Sequence, residues 1–188
     1  MKISGHEKSL KATSFKTLII LIPLIYALHH FEEHVLFDFR SWRLLYFPNN
    51  NNLTTEQVFL LLSSITVMFT FLHHLLMTRA SAIAVLFLVF TTQLQNALFH
   101  IGGTIYFNHF SPGLYTAILI YIPVSALITY RAFVEGVVTS RGILALFFIS
   151  GIVFWTFEFL GGVVILGTSL IAFVWVFWDW SSRTSESE

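Results

Sequence analysis

The chain has no cysteine, so disulfides and thiolate metal sites are excluded. Charge is scarce. Asp, Glu, Lys and Arg together make 11% of the residues, less than half of the roughly 25% found in a soluble domain. The formal net charge is +0, which gives no hint of nucleic acid or an acidic partner. No small-residue cleavage site follows the first apolar stretch after Lys8, Lys11 and Lys16, so it reads as a first transmembrane helix rather than a cleavable signal. An internal repeat is also missing.

Apolar bulk fills the space left by charge. Of 188 residues, 56% are hydrophobic, with 21 Phe and 5 Trp, and the mean hydropathy is +0.77. This composition defines an integral membrane protein of one compact helical domain. A span needs roughly 20 apolar residues. Six stretches qualify, at about 15–37, 56–77, 80–101, 113–134, 142–159 and 162–179. The last two form one tract that Glu158 and Gly161-Gly162 divide at a turn; five spans with one long tilted helix is the alternative. The expected fold is an all-α polytopic bundle over residues 15–180, with a cytoplasmic tail at 1–14 and a short disordered tail at 181–188.

Basic residues set the expected orientation. With the amino terminus inside, Lys2, Lys8, Lys11, Lys16, Arg79, Arg131, Arg141 and Arg183 fall on the cytoplasmic side, and only Arg40 and Arg43 outside. Both termini are then cytoplasmic, and the protein belongs in the cell membrane. Trp42, Tyr46, Phe47, Pro48 and the asparagines from Asn49 to Asn52 read as an outer loop, with a sequon at Asn52-Leu53-Thr54. Thr54 or Thr55 ahead of Glu56 and Gln57 marks a helix start. Gly102-Gly103 and Pro112-Gly113 read as turn and helix-start residues, and Arg131 as a cytoplasmic anchor.

Against this background the run His29-His30-Phe31-Glu32-Glu33-His34 stands out. It lies inside the first span, where an unpaired ionisable group costs at least about 2.5–3.5 kcal/mol. The topology brings it to the same membrane depth as Asn96 and His100 at the end of the third span, His109 in the loop that follows, and Glu158 at the end of the fifth. Residues advance about 100° each around a helix, so Glu33 falls between His29 on one side and His30 and His34 on the other. Glu33 is therefore the central residue. Asn96 and His100, four apart, share a face. Imidazole and carboxylate are the usual companions of zinc or iron.

His29-x-x-Glu32-Glu33, preceded by Tyr26-Ala27-Leu28, resembles the motif of the HXXEE membrane proteins. The likeness continues through Thr55-Glu56-Gln57, Asn96-Ala97-Leu98-Phe99-His100 with Gly102-Gly103, Ser111-Pro112-Gly113-Leu114-Tyr115-Thr116-Ala117, Pro123 and Arg131. It covers roughly the first two thirds of the chain and leaves the last two helices unassigned. The resemblance implies a helical membrane protein with a metal or polar site, and makes His29, Glu32, Glu33, Asn96 and His100 the preferred set. His30 and His34 stand outside the motif. With few carboxylates in the spans, a di-metal site is short of acidic ligands.

Other readings compete. The first-span cluster could pin helix packing through interhelical bonds, which contribute about 0.6 kcal/mol each, a small return for five ionisable groups. His30-x-x-Glu33-His34 matches the inverted zincin pattern, with two zinc-binding histidines and a glutamate base. His73 and His74 lie at the inner end of the second span, as interfacial residues or a proton exit, too far away to join a di-iron histidine box. Glu158 caps a helical hairpin or supplies a further carboxylate.

The expected function is a metal-dependent membrane enzyme acting on a lipid-like substrate near the outer leaflet. His29, Glu33 and His100 are the expected ligands of a divalent zinc or iron ion, with His30 and His34 as further candidates. Glu32 is assigned to the second shell or to general base, and Asn96 to the substrate. A proton- or cation-coupled transporter, or a scaffold with a buried polar network, are the alternatives.

Overall fold

A computed structural model describes residues 13–47 and 53–185. The Asn52 sequon, the Pro48 to Asn52 turn, and Lys2, Lys8 and Lys11 lie outside the described residues. Every regular element among the described residues is helical. Six helices are long and apolar enough to cross a membrane: α1 (Phe15–Leu36), α3 (Thr55–Leu76), α4 (Arg79–Phe107), α5 (Leu114–Val134), α6 (Ser140–Leu160) and α7 (Gly162–Ser185). The short α2 (Phe39–Tyr46) joins α1 to α3.

Local chemistry sets these boundaries. Pro23 has no N–H to give the carbonyl of Ile19, so α1 is interrupted there, and Ile22 N closes a tighter bond to Ile19 O at 3.1 Å. Thr54 and Gln57 form a reciprocal capping box at the start of α3, as the sequence signature indicates. Thr78 and Thr139 accept the third backbone N–H of α4 and α6 through their hydroxyls. Gly161, at φ +74°, turns the chain from α6 to α7, which makes six helices rather than five.

Three expectations need correction. The segment after α1 is not all loop: Asp38 caps an amphipathic helix, accepting Ser41 N at 3.0 Å and Ser41 Oγ at 2.6 Å. Gly102-Gly103 is not a turn but lies inside α4, which continues to Phe107. There Trp42 packs so closely that a Cβ on Gly103 would sit 2.9 Å from its ring, so the glycine seats α2 against α4. The carboxyl-terminal tail begins later than 181, because α7 stays helical to Ser185.

α4 is the central helix, packed against α3, α5, α6 and α7, while α1 lies against α3 and α5. Its apolar window is 72% buried, against 17% for α6 and 11% for α7, so the last two helices form an outer wall. Leu170, Ile171 and Trp178 on α7 stand exposed, the surface that lipid would cover. At one end of the bundle, Glu135 accepts Phe15 N and Arg131 Nη2, both at 2.9 Å. At the other end the polar residues of the sequence motif converge.

Candidate metal centre

Glu33 is the hub. Its Oε1 lies 3.3 Å from His29 Nε2 and 3.0 Å from His100 Nε2. Its Oε2 lies 3.7 Å from His34 Nε2 and 4.0 Å from His30 Nδ1. His29, Glu33 and His100 are buried; His30 and His34 are half-buried. Two groups therefore have the composition and spacing to hold a metal ion, His29–Glu33–His100 and His30–Glu33–His34, and they share one carboxylate. The helical-wheel position of Glu33 between two histidine sets carries over into space.

The backbone is wound to aim these side chains. Glu32–Leu36 at the end of α1 is a π-helix, and Phe37 N bonds to Glu32 O, five residues back, at 3.1 Å. Phe90–Gln95, just before Asn96, and Ala117–Tyr121, just after Thr116, are π-helical as well. Such bulges are rare and frequently mark functional sites. Here three of them fall in the three helices that build the centre.

Glu32 does not touch the metal groups. Its Oε1 accepts Tyr115 N at 3.1 Å, and its Oε2 accepts Thr116 N at 2.7 Å and Thr116 Oγ1 at 2.5 Å. The carboxylate thus caps the amino end of α5, where unpaired N–H groups and the helix dipole favour negative charge. This fixes a tautomer. Thr116 has one hydroxyl hydrogen, directed to Glu32, so at 2.7 Å its oxygen accepts from His29 Nδ1. His29 Nε2 is left bare. It is buried without a hydrogen-bond partner and faces Glu33 Oε1. Two acceptors pointed at each other repel unless a cation or proton lies between them. His100 is placed alike, with Nδ1 paired to Ser111 Oγ at 2.9 Å and the buried Nε2 at 3.0 Å from Oε1, but the serine hydroxyl can donate or accept, so either ring nitrogen can carry the proton.

The link between α4 and α5 closes the centre. Gly113 has φ +98°, and a Cβ there would lie 2.8 Å from His29 Cε1, 2.9 Å from His100 Cε1 and 3.0 Å from Glu33 Cγ. Glycine is required both by the backbone and by the space. Tyr121 covers His29 with ring centroids 4.3 Å apart, and Phe59 stacks on His30 at 4.6 Å.

Beside the centre is a cavity of about 90 Å3, lined by Glu33, His34, Asn96, Arg43, Glu158 and apolar side chains including Phe99. That is room for several waters, each needing at least about 10–15 Å3. Asn96 Oδ1 is buried there without a partner. Glu158 is bound to Arg43 instead of the histidines: Arg43 donates to Oε2 from Nη2 at 2.6 Å and from Nε at 3.1 Å, and to the Glu158 carbonyl at 3.2 Å. His109 pairs with Tyr46 at 2.7 Å outside the centre. His73 and His74 sit at the far end of α3, bonded to Ser81 Oγ and Thr70 O, both at 2.8 Å.

Sequence reasoning gave no role at the centre to Thr116, Ser111, Gly113 or Tyr121, and read Gly113 only as a turn or helix-start residue. The first three lie in the motif shared with HXXEE proteins, which was the available signal. The partnership of Thr116 with His29 spans 87 residues, and no local spacing announces it.

The chain is therefore an all-helical protein with six membrane-length apolar helices and a buried His/Glu group able to hold a metal ion. The family described as protein of unknown function with HXXEE motif matches residues 20–128, and the chain belongs to that family. No curated protein and no solved structure matches it.

Proposed function

We propose that the protein is a metal-dependent enzyme of the cell membrane that acts on a lipid-like substrate, with zinc or iron held by His29, Glu33 and His100. The observation that carries this reading is the pair of buried, partnerless Nε2 atoms meeting one carboxylate oxygen. Donor separations of 3.3 and 3.0 Å match the tetrahedral edge of about 3.3 Å that follows from zinc–nitrogen bonds of 2.0–2.1 Å. Both histidines are held from behind through Nδ1, the support that metal-binding imidazoles ordinarily have.

A divalent ion here would supply Lewis acidity and ionise a bound water near neutral pH. The chain's residues do the rest. Asn96 offers an unpaired amide oxygen in the cavity to a donor on the substrate, and apolar walls admit an acyl chain. Glu32, with both oxygens engaged, holds His29 through Thr116 and is not free to act as a general base. Hydrolysis of an ester or head-group bond would suit such a site: the water oxygen would bond to the acyl or phosphoryl atom, the bond to the alcohol oxygen would break, and the proton released from that water would pass to the leaving alcohol. Lys16, Arg79, Arg131 and Arg141 lie at the opposite end of the bundle. The positive-inside rule then directs the centre to the outer leaflet and both termini to the cytoplasm.

The test is metal content of detergent-purified protein by mass spectrometry, for wild type and for His29→Ala, Glu33→Ala and His100→Ala. Near-stoichiometric zinc or iron that each variant loses supports the reading. A wild type that stays metal-free after incubation with zinc and with iron(II) overturns it and leaves a packing network.

A further inference from the structure

We infer that the centre is dinuclear, with Glu33 bridging two ions and the second held by His30 and His34 on the side toward the cavity. The inference rests on the metal reading above and extends it to residues outside the HXXEE motif.

The carboxylate is already divided between two histidine pairs. Oε1 faces His29 and His100, and Oε2 faces His30 and His34. A carboxylate with a different cation at each oxygen is the usual bridge of a two-metal site, where the ions stand roughly 3.5–4 Å apart. The shortage of acidic residues in the spans is thus no obstacle, because one shared Glu33 serves both ions. Each ion receives two imidazole nitrogens and one carboxylate oxygen. Three protein ligands with a position left open is the catalytic pattern, whereas structural zinc is fully enclosed by four.

The two halves differ as the reading requires. The first is sealed, with His29 1% and His100 0% exposed, and does not line the cavity. The second reaches it: Glu33 and His34 are in its wall, with Asn96 nearby. An ion on the His29 and His100 side would meet the cavity only past Glu33, whereas one on the His30 and His34 side would meet a water or substrate oxygen there directly. Its donors are wider apart, 3.7 and 4.0 Å. The rings are half-buried, with centroids 4.3 Å apart, so they can close by the few tenths of an ångström that coordination requires. Phe59 and Phe39 hold them from outside, stacked on His30 at 4.6 Å and edge-on to His34 at 5.8 Å. Neither histidine has a partner among the hydrogen bonds of the described residues that would consume the donor atom facing Glu33.

The experiment is titration of chelator-stripped, full-length protein in detergent with zinc and, separately, with cobalt(II). Stoichiometry is read by mass spectrometry, and the metal environment by X-ray absorption. Two equivalents and a metal–metal vector of roughly 3.5–4 Å are expected. His30→Ala and His34→Ala should each drop the content to one equivalent while His100→Ala loses the sealed ion. One equivalent in wild type, unchanged in His30→Ala and His34→Ala, overturns the dinuclear centre but leaves the mononuclear reading standing. No metal overturns both. Two equivalents that survive His30→Ala and His34→Ala place the second ion elsewhere and also overturn the inference. The wild-type absorption measurement decides the matter even where a variant fails to fold.

Discussion

Glu32 holds Thr116 by both its backbone N–H and its hydroxyl, at 2.7 and 2.5 Å, and so commits a residue of the fourth long helix to a residue of the first. The hydroxyl can then only accept from His29, which leaves the far nitrogen of that ring bare. Thr116→Val removes the hydroxyl and keeps the shape. Metal affinity should fall about 10–100-fold, the usual cost of losing such a supporting bond, while Thr116→Ser should retain most of it. Competitive chelator titration measures both; equal affinity for Val and Ser variants would remove Thr116 from the argument.

Gly113→Ala meets two obstacles, a left-handed backbone and a Cβ driven against His29, His100 and Glu33. Gly136→Ala is the control, with φ +73° but open space around the added atom. The control should cost about 1 kcal/mol from the backbone alone. Gly113→Ala should lower the melting temperature further and abolish metal loading, because its methyl occupies the floor of the centre. Thermal unfolding with metal analysis checks it.

Arg43 and Glu158 join the short helix α2 to the end of α6 beside the cavity. Removing one partner of a largely buried pair strands the other, so Arg43→Met should destabilise by up to about 3 kcal/mol. The double variant Arg43→Met/Glu158→Leu should recover much of that loss. A double-mutant cycle in denaturant-induced unfolding measures the coupling; additivity would mean that the pair is indifferent.

Asp38 provides a pH-dependent prediction. The Ser41 hydroxyl and backbone N–H both donate to its carboxylate, holding its pKa below the usual range. The folded value is lower than the unfolded one, so the contribution to α2 is complete above the ordinary carboxylate range. It is lost as pH falls through the lowered value. Protection of the amides of residues 39–46, measured relative to intrinsic exchange at each pH, should fall under acid conditions, and Asp38→Ala should show low protection at every pH.

Much of the fold was legible in order along the chain. Six apolar stretches, the Thr54–Gln57 box and the Gly161 turn are local signals, since hydropathy and capping depend on neighbours a few residues apart. Gly102-Gly103 misled for the complementary reason. Glycine reads as a turn until Trp42, 61 residues earlier, is found packed on it. The centrality of Glu33 was also legible, because three of its four partners in the two metal groups lie on the same helix at a spacing the wheel handles, and only His100 comes from elsewhere.

The sequence by itself determined the membrane-length helices, the class of side chains available to a metal, and the grouping of three histidines around one glutamate, all consequences of composition and helical period. Only the tertiary structure decided what each group does. It turned Glu32 into the cap of a distant helix, paired Glu158 with Arg43, left His73, His74 and His109 outside, and bared the Nε2 of His29. Those outcomes depend on which hydrogen-bond partners the packing of separate helices brings within 3 Å, and no periodicity within one helix encodes them.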